Sequence, residues 1–196
     1  MLKAMTTLAL VIWLPLLGGC GSMLAAVDSG PIEEDAGKRT LAQRLEDASI
    51  ETKSIVNIKA ADSGFDGANL MIVSYNGYVL IAGQVASQAL KDTAANEVRD
   101  IDGVRRIYNE LEIGEPTPGK VRTQDVWLTT QVKSALLFRS DTPGSRIKVA
   151  TENGVVYLMG LVTSEEAERA TAVARGIENV RKVVKLFELI DPILQS

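Results

Sequence analysis

Along Arg146–Thr151 the chain alternates singly, with Ile147, Val149 and Thr151 on one side and Arg146, Lys148 and Ala150 on the other. A period of two predicts a β-strand. Asn153-Gly154 follows, the pair that supplies both left-handed residues of a type I′ turn, and a second apolar run starts at Val155. The segment SRIKVATENGVVYLMG is thus expected to be a hairpin, as is NLMIVSYNGYVLIAG around Asn76-Gly77. Upstream, in DVWLTTQVKSALLF, the period changes: Leu128, Val132, Ala135 and Leu136 share one helical face, and Asp125 is placed to cap that helix. Downstream, Ser87 and Ser164 are placed to cap second helices. In these, Leu90, Ala94, Val98 and Ile101, and then Ala170, Val173, Ala174 and Ile177, keep helical spacing. VRRIYNELEI and VRKVVKLFELI read as closing strands.

The whole order occurs twice. NGYVLIAGQVAS, from Asn76, and NGVVYLMGLVTS, from Asn153, agree at six of twelve positions at a spacing of 77 residues. Val104-Arg105 then matches Val180-Arg181, and Leu111-Glu112 matches Phe187-Glu188, at a spacing of 76, so one residue is expected to be missing just before the last strand. Each unit is near the lower size at which a single core holds a fold without staples. The expected architecture is α+β: two tandem small domains, each αββαβ, with a three-stranded mixed sheet packed on two helices. The order NGxVxLxGxV, helix, VxxVxN resembles the BON domain, a bacterial periplasmic module. It is carried by Asn76, Gly77, Val79, Gly83, Val85, Val104, Ile107 and Asn109, and again by Asn153, Gly154, Val156, Gly160, Val162, Val180 and Val183. The second copy departs from it at Lys185, where the first has Asn109. Gly77 and Gly154 are expected to supply positive φ, and Gly83 and Gly160 to mark a bulge or a close helix–sheet contact.

The N-terminus changes the picture from two free domains to a tethered pair. One lysine precedes an apolar run from Leu8 to Leu17, too short to span a bilayer and suited to a secretory signal. Leu17-Gly18-Gly19-Cys20 resembles the lipobox of bacterial lipoproteins, which implies cleavage behind Gly19 and a diacylglycerol and an acyl chain on Cys20, the only cysteine. The partition expected is signal peptide 1–19, lipidated tether 20–39, first BON domain 40–114, linker 115–121 and second BON domain 122–191. By the sorting rule of such lipoproteins, Gly21 in place of an aspartate favours the outer membrane, with the domains on its periplasmic face.

Charge separates the two units. Residues 21–119 carry 9 Lys+Arg and 16 Asp+Glu, whereas residues 120–190 carry 11 and 8. The second unit is the one attracted to anionic surfaces. Catalytic chemistry finds little support: there is no histidine, no nucleophile elbow and no phosphate loop. Asp100 and Asp102 lack the remaining ligands of a calcium loop. No enzyme activity, metal or cofactor beyond the Cys20 lipids is expected. Basic residues are not interleaved with aromatics, so nucleic acid is not an expected partner.

The functional candidate is the helix from Asp125 to Phe138. Removing its core stripe leaves Trp127, Leu137 and Phe138 off the buried face, with Thr130, Lys133 and Ser134 among them, and the helical turn puts Trp127 and Phe138 within about 20°. The first unit has Ile50 at the position of Trp127. Tryptophan settles at membrane interfaces, and nearby Lys or Arg adds about 1 kcal/mol each against anionic headgroups. This helix is therefore expected to bind anionic phospholipid such as phosphatidylglycerol, with Lys133, Arg139, Arg146 and Lys148 supplying charge. Two other readings stand beside it: packing of Trp127 against the first domain across a short linker, and docking of an envelope protein in an adaptor role. Resemblance to dual-BON outer-membrane lipoproteins implies support of envelope integrity and concentration at division sites.

Overall fold

The computed structural model describes residues 37–191; the signal segment, Cys20 and nearly all of the expected tether lie outside them. The first unit is α1 (Leu41–Ala61), β1 (Asn69–Tyr75), β2 (Tyr78–Val85), α2 (Gln88–Arg99) and β3 (Arg106–Ile113). The second is α3 (Gly119–Phe138), β4 (Ile147–Glu152), β5 (Val155–Val162), α4 (Ser164–Arg175), β6 (Lys182–Lys185) and β7 (Glu188–Leu189). In each, the middle strand pairs antiparallel with the strand before it and parallel with the one after α2 or α4, giving the mixed αββαβ order expected, except that the closing strand of the second unit is split into β6 and β7, both parallel to β5. Both hairpins turn on left-handed pairs, with φ of 52° and 73° at Asn76-Gly77 and 48° and 72° at Asn153-Gly154.

Several local readings are corrected. The helix holding Trp127 starts at Gly119, behind Pro118, so Asp125 lies inside it and caps nothing. Ser164 is the first residue of α4, and Thr163 is its cap, in a capping box with Glu166. Since Ser87 caps α2, the caps are already 76 apart while β2 and β5 are 77 apart, so the residue missing from the second unit falls between β5 and α4. Gly83 accommodates the first residue of β1, and Gly160 the turn residue that leads into β4, rather than one of the packing helices. A Cβ on Gly83, where φ is +121°, would lie 1.8 Å from Asn69 O, and one on Gly160 would lie 2.9 Å from Arg146 O. The Asn109 amide ties β3 to α2 through Lys91 O at 2.7 Å; at the matching place Lys185 instead pairs with Glu168 of α4 at 2.7 Å.

The sheets are buried on both faces. Val79, Ile81, Val85 and Leu111 pack on α1 and α2, and Val156, Leu158 and Val162 pack on α3 and α4. The opposite faces meet each other: Val73, Tyr75, Leu80 and Ala82 of the first sheet form one apolar cluster with Ala150, Tyr157, Met159 and Leu161 of the second. The arrangement is helix layer, sheet, sheet, helix layer. At one end of the shared layer the buried Glu152 carboxylate accepts from Asn69 Nδ2 at 2.9 Å and Gln84 Nε2 at 3.0 Å. The linker is drawn into it, because Thr117 N–H donates to Gln84 Oε1 at 2.9 Å. At the other end Arg105 makes a forked ion pair with Glu188, at 2.8 and 2.7 Å, and Asn76 Nδ2 donates to the same carboxylate at 2.7 Å.

Candidate functional site

α3 rests on its sheet through Leu128, Val132 and Leu136, all buried. Asp125, also buried, is one turn before them, and its carboxylate accepts from Asn153 N–H and Gly154 N–H, both at 2.8 Å. Asp47 of α1 does the same for the first hairpin, accepting from Asn76 N–H at 2.9 Å and Gly77 N–H at 3.0 Å. These two aspartates are 78 residues apart, as are Ile50 and Leu128, and Ile58 and Leu136. The counterpart of Trp127 is therefore Ser49, not Ile50, which is core.

With that register, three apolar positions of the outward side of α3 are polar or small in α1, whose own exposed apolar residues, Leu41, Leu45 and Val56, fall where α3 has Gly119, Thr123 and Ser134. Trp127 is 64% exposed, Leu137 53% and Phe138 90%; their counterparts are Ser49, Lys59 and Ala60. Thr130 is exposed beside them and Ser134 is half-buried. The structure thus brings Trp127, Thr130, Ser134, Leu137 and Phe138 onto one ridge. Lys133 leaves it: its ammonium turns back to donate to Gly144 O at 2.8 Å and to Ile147 O, and burial lowers its pKa. The other cations expected to attract lipid are engaged too. Arg139 pairs with Asp141 at 3.0 Å, Arg146 with Glu166, and Lys148 with Glu51 of the first unit at 2.6 Å. Lys120, exposed and unpaired among the described residues, remains: it lies two turns before Trp127, within about 20° of it around the helix. Trp127 does not serve the domain interface, which the sheets make.

Beside the ridge is a cleft of about 560 Å³, lined by Val121, Gln124, Trp127, Asn153, Val180 and Arg181, all from the second unit. Arg181 carries no distinguishing signal in the sequence, because Val180-Arg181 repeats Val104-Arg105. Among the described residues no His, Cys, Asp and Glu group is arranged to hold a metal, and no helix is long and apolar enough to cross a membrane.

The BON domain family model matches residues 46–115 and again 124–191. The chain belongs to the BON-domain family. It is 35% identical over 174 residues, 88% of this chain and 86% of the relative, to outer membrane lipoprotein DolP of Haemophilus influenzae. It is also 32% identical, over 83% and 84% of the two chains, to a 21 kDa hemolysin of Actinobacillus pleuropneumoniae. Identity to the osmotically-inducible protein Y of Escherichia coli is 27%, over 83% and 85%. This is a DolP-like, dual-BON outer-membrane lipoprotein.

Proposed function

We propose that the protein is a non-enzymatic envelope component, held at the periplasmic face of the outer membrane by lipids on Cys20, whose second BON domain contacts anionic phospholipid through the outward ridge of α3. One observation carries the reading: Trp127, Leu137 and Phe138 are exposed together on a helix whose opposite face is core. Each large apolar side chain contributes roughly 1.5–3 kcal/mol when fully buried, so the ridge alone gives a weak contact. The Cys20 anchor raises its effective concentration at the bilayer and makes a weak contact sufficient. Lys120, rather than Lys133, supplies attraction to anionic headgroups along the ridge. Support of outer-membrane integrity, including at division sites, belongs to this proposal as the consequence of lipid-dependent placement.

The test is sedimentation of the chain from Gly21 onward with vesicles containing or lacking phosphatidylglycerol. Binding is expected to need the anionic lipid, to weaken with salt, and to be lost in Trp127→Glu and Phe138→Glu while thermal unfolding stays unchanged. Vesicle binding that survives both substitutions would defeat the ridge assignment. Absence of binding by the unaltered chain would favour the adaptor reading, with an envelope protein seated on the same ridge.

A further inference from the structure

The cleft beside Trp127 has a counterpart in the first unit, and the two differ in ways that bear on what each can hold. The first is about 200 Å³, lined by Gln43, Glu46, Asp47, Asn76, Gly77, Gly103 and Arg105. At the matching positions the second has Val121 for Gln43, Gln124 for Glu46, and Asn179 for Gly103, and Trp127 stands where α1 has only Ser49. One acid has been removed, apolar wall has been added, and the volume has more than doubled.

The arginines differ most. Arg105 is neutralised by the forked pair with Glu188. Arg181, its counterpart, is exposed, with its stem laid over the Gly154 turn, and a single hydrogen bond from Nη1 to Asn153 O at 2.9 Å. Glu112, the counterpart of Glu188, borders a separate hollow with Arg181 and Lys182, and no ion pair joins them. The Asp125 carboxylate at the base of the cleft is occupied by the two turn amides. A planar guanidinium with unused donors at the rim of an apolar-walled cleft, next to an exposed indole, is the chemistry that recognises a phosphodiester carrying hydrocarbon.

Building on the membrane reading above, we infer that this cleft seats the headgroup of one anionic phospholipid. The free N–H groups of Arg181 donate to the phosphate oxygens, and Val121, Trp127 and Val180 cover the glycerol and the first methylenes of the acyl chains. The ridge then enters the bilayer, while the cleft selects a lipid.

Trp127 is the only tryptophan from Gly21 onward, so its fluorescence reports occupancy of the cleft. The chain from Gly21, which holds every element described, is titrated with short-chain phosphatidylglycerol below its micellar concentration, with the matching phosphatidylcholine, and with glycerol phosphate. Phosphatidylglycerol is expected to shift the emission saturably. Arg181→Gln is expected to weaken this about tenfold or more, Arg181→Lys to weaken it less, and Arg105→Gln to leave it unchanged. An equal response to phosphatidylcholine, or an unaltered titration in Arg181→Gln, overturns the headgroup assignment. Glycerol phosphate acting at the same concentration as the lipid overturns the lipid assignment in favour of a simple phosphate site. Vesicle sedimentation of the same variants separates the two proposals: if monomeric lipid fails while vesicles still bind through Trp127, the cleft is lost and the ridge stands. If neither binds, both fall.

Discussion

Asp47 shows how a single side chain fixes the relation of a helix to a hairpin. Burial pushes its carboxyl upward, but hydrogen bonds from Gly77 N–H, the Ser74 hydroxyl, Asn76 N–H and Arg39 outweigh burial and hold the pKa below the ordinary 3.8. A carboxylate depressed in the folded state contributes stability above its unfolded pKa, and that contribution is lost as pH falls through the folded value. Asp47→Asn is therefore expected to cost about 2–4 kcal/mol at neutral pH. The gap between variant and parent should narrow once the pH drops below 3.8. Urea midpoints across that range measure it, and a gap independent of pH would mean that charge on Asp47 is irrelevant. Ser54 is the opposite case. It sits in α1 where α3 has Val132, is fully buried, and its hydroxyl has no partner among the described residues. Ser54→Ala should raise stability by about 1 kcal/mol, since an unsatisfied polar group is removed for the loss of little volume.

At the scale of elements, α3 carries two faces whose substitutions should separate cleanly. Leu128→Glu places a charge in the core and is expected to unfold the second unit, whereas Trp127→Glu, one residue away, should leave the melting temperature within a few degrees and remove vesicle binding. Loss of folding in both would show Trp127 to be structural. The core face of α3 was legible from periodicity alone, because Leu128, Val132 and Leu136 repeat at helical spacing and nothing in the fold disturbs them. The start of the helix was not: Asp125 resembles a cap in sequence, while its carboxylate serves a hairpin amide pair 28 residues later. Lys133 escaped for a related reason, since a long flexible stem lets the ammonium fold back onto carbonyls of the following loop. Sequence position specifies where a lysine leaves the helix, not where its charge ends. Ile50 is not the counterpart of Trp127, because the repeat spacing is 77 in the hairpins but 78 in the helices that precede them.

For the whole molecule, the sheet-on-sheet layer decides whether the repeats are two domains or one cooperative body. Its trace was present in the sequence: YVLIAGQV and VVYLMGLV are nearly continuous apolar runs, as strands buried on both faces are, rather than alternating ones. Alternation in β4 specifies one covered face, and the partner of the other is supplied only by the other copy of the repeat. With Tyr157, Met159 and Leu161 buried against the first sheet, separating the units would expose an apolar surface that neither has helices left to cover. Thermal and denaturant unfolding of the chain from Gly21 should therefore be one transition, seen alike by Trp127 fluorescence in the second unit and by amide exchange in β2 of the first. Met159→Ala, at a site 1% exposed, should lower stability by about 2–4 kcal/mol and move both probes together. Two separate transitions, or a Met159→Ala effect confined to the second unit, would reduce the layer to a loose contact. A single transition has a functional corollary: the acidic first unit is then held rigidly behind the second, on the side away from α3. The ridge is presented to the bilayer with that negative charge at its back rather than in its path, so a linker insertion that frees the units should weaken binding to anionic vesicles even with the ridge intact.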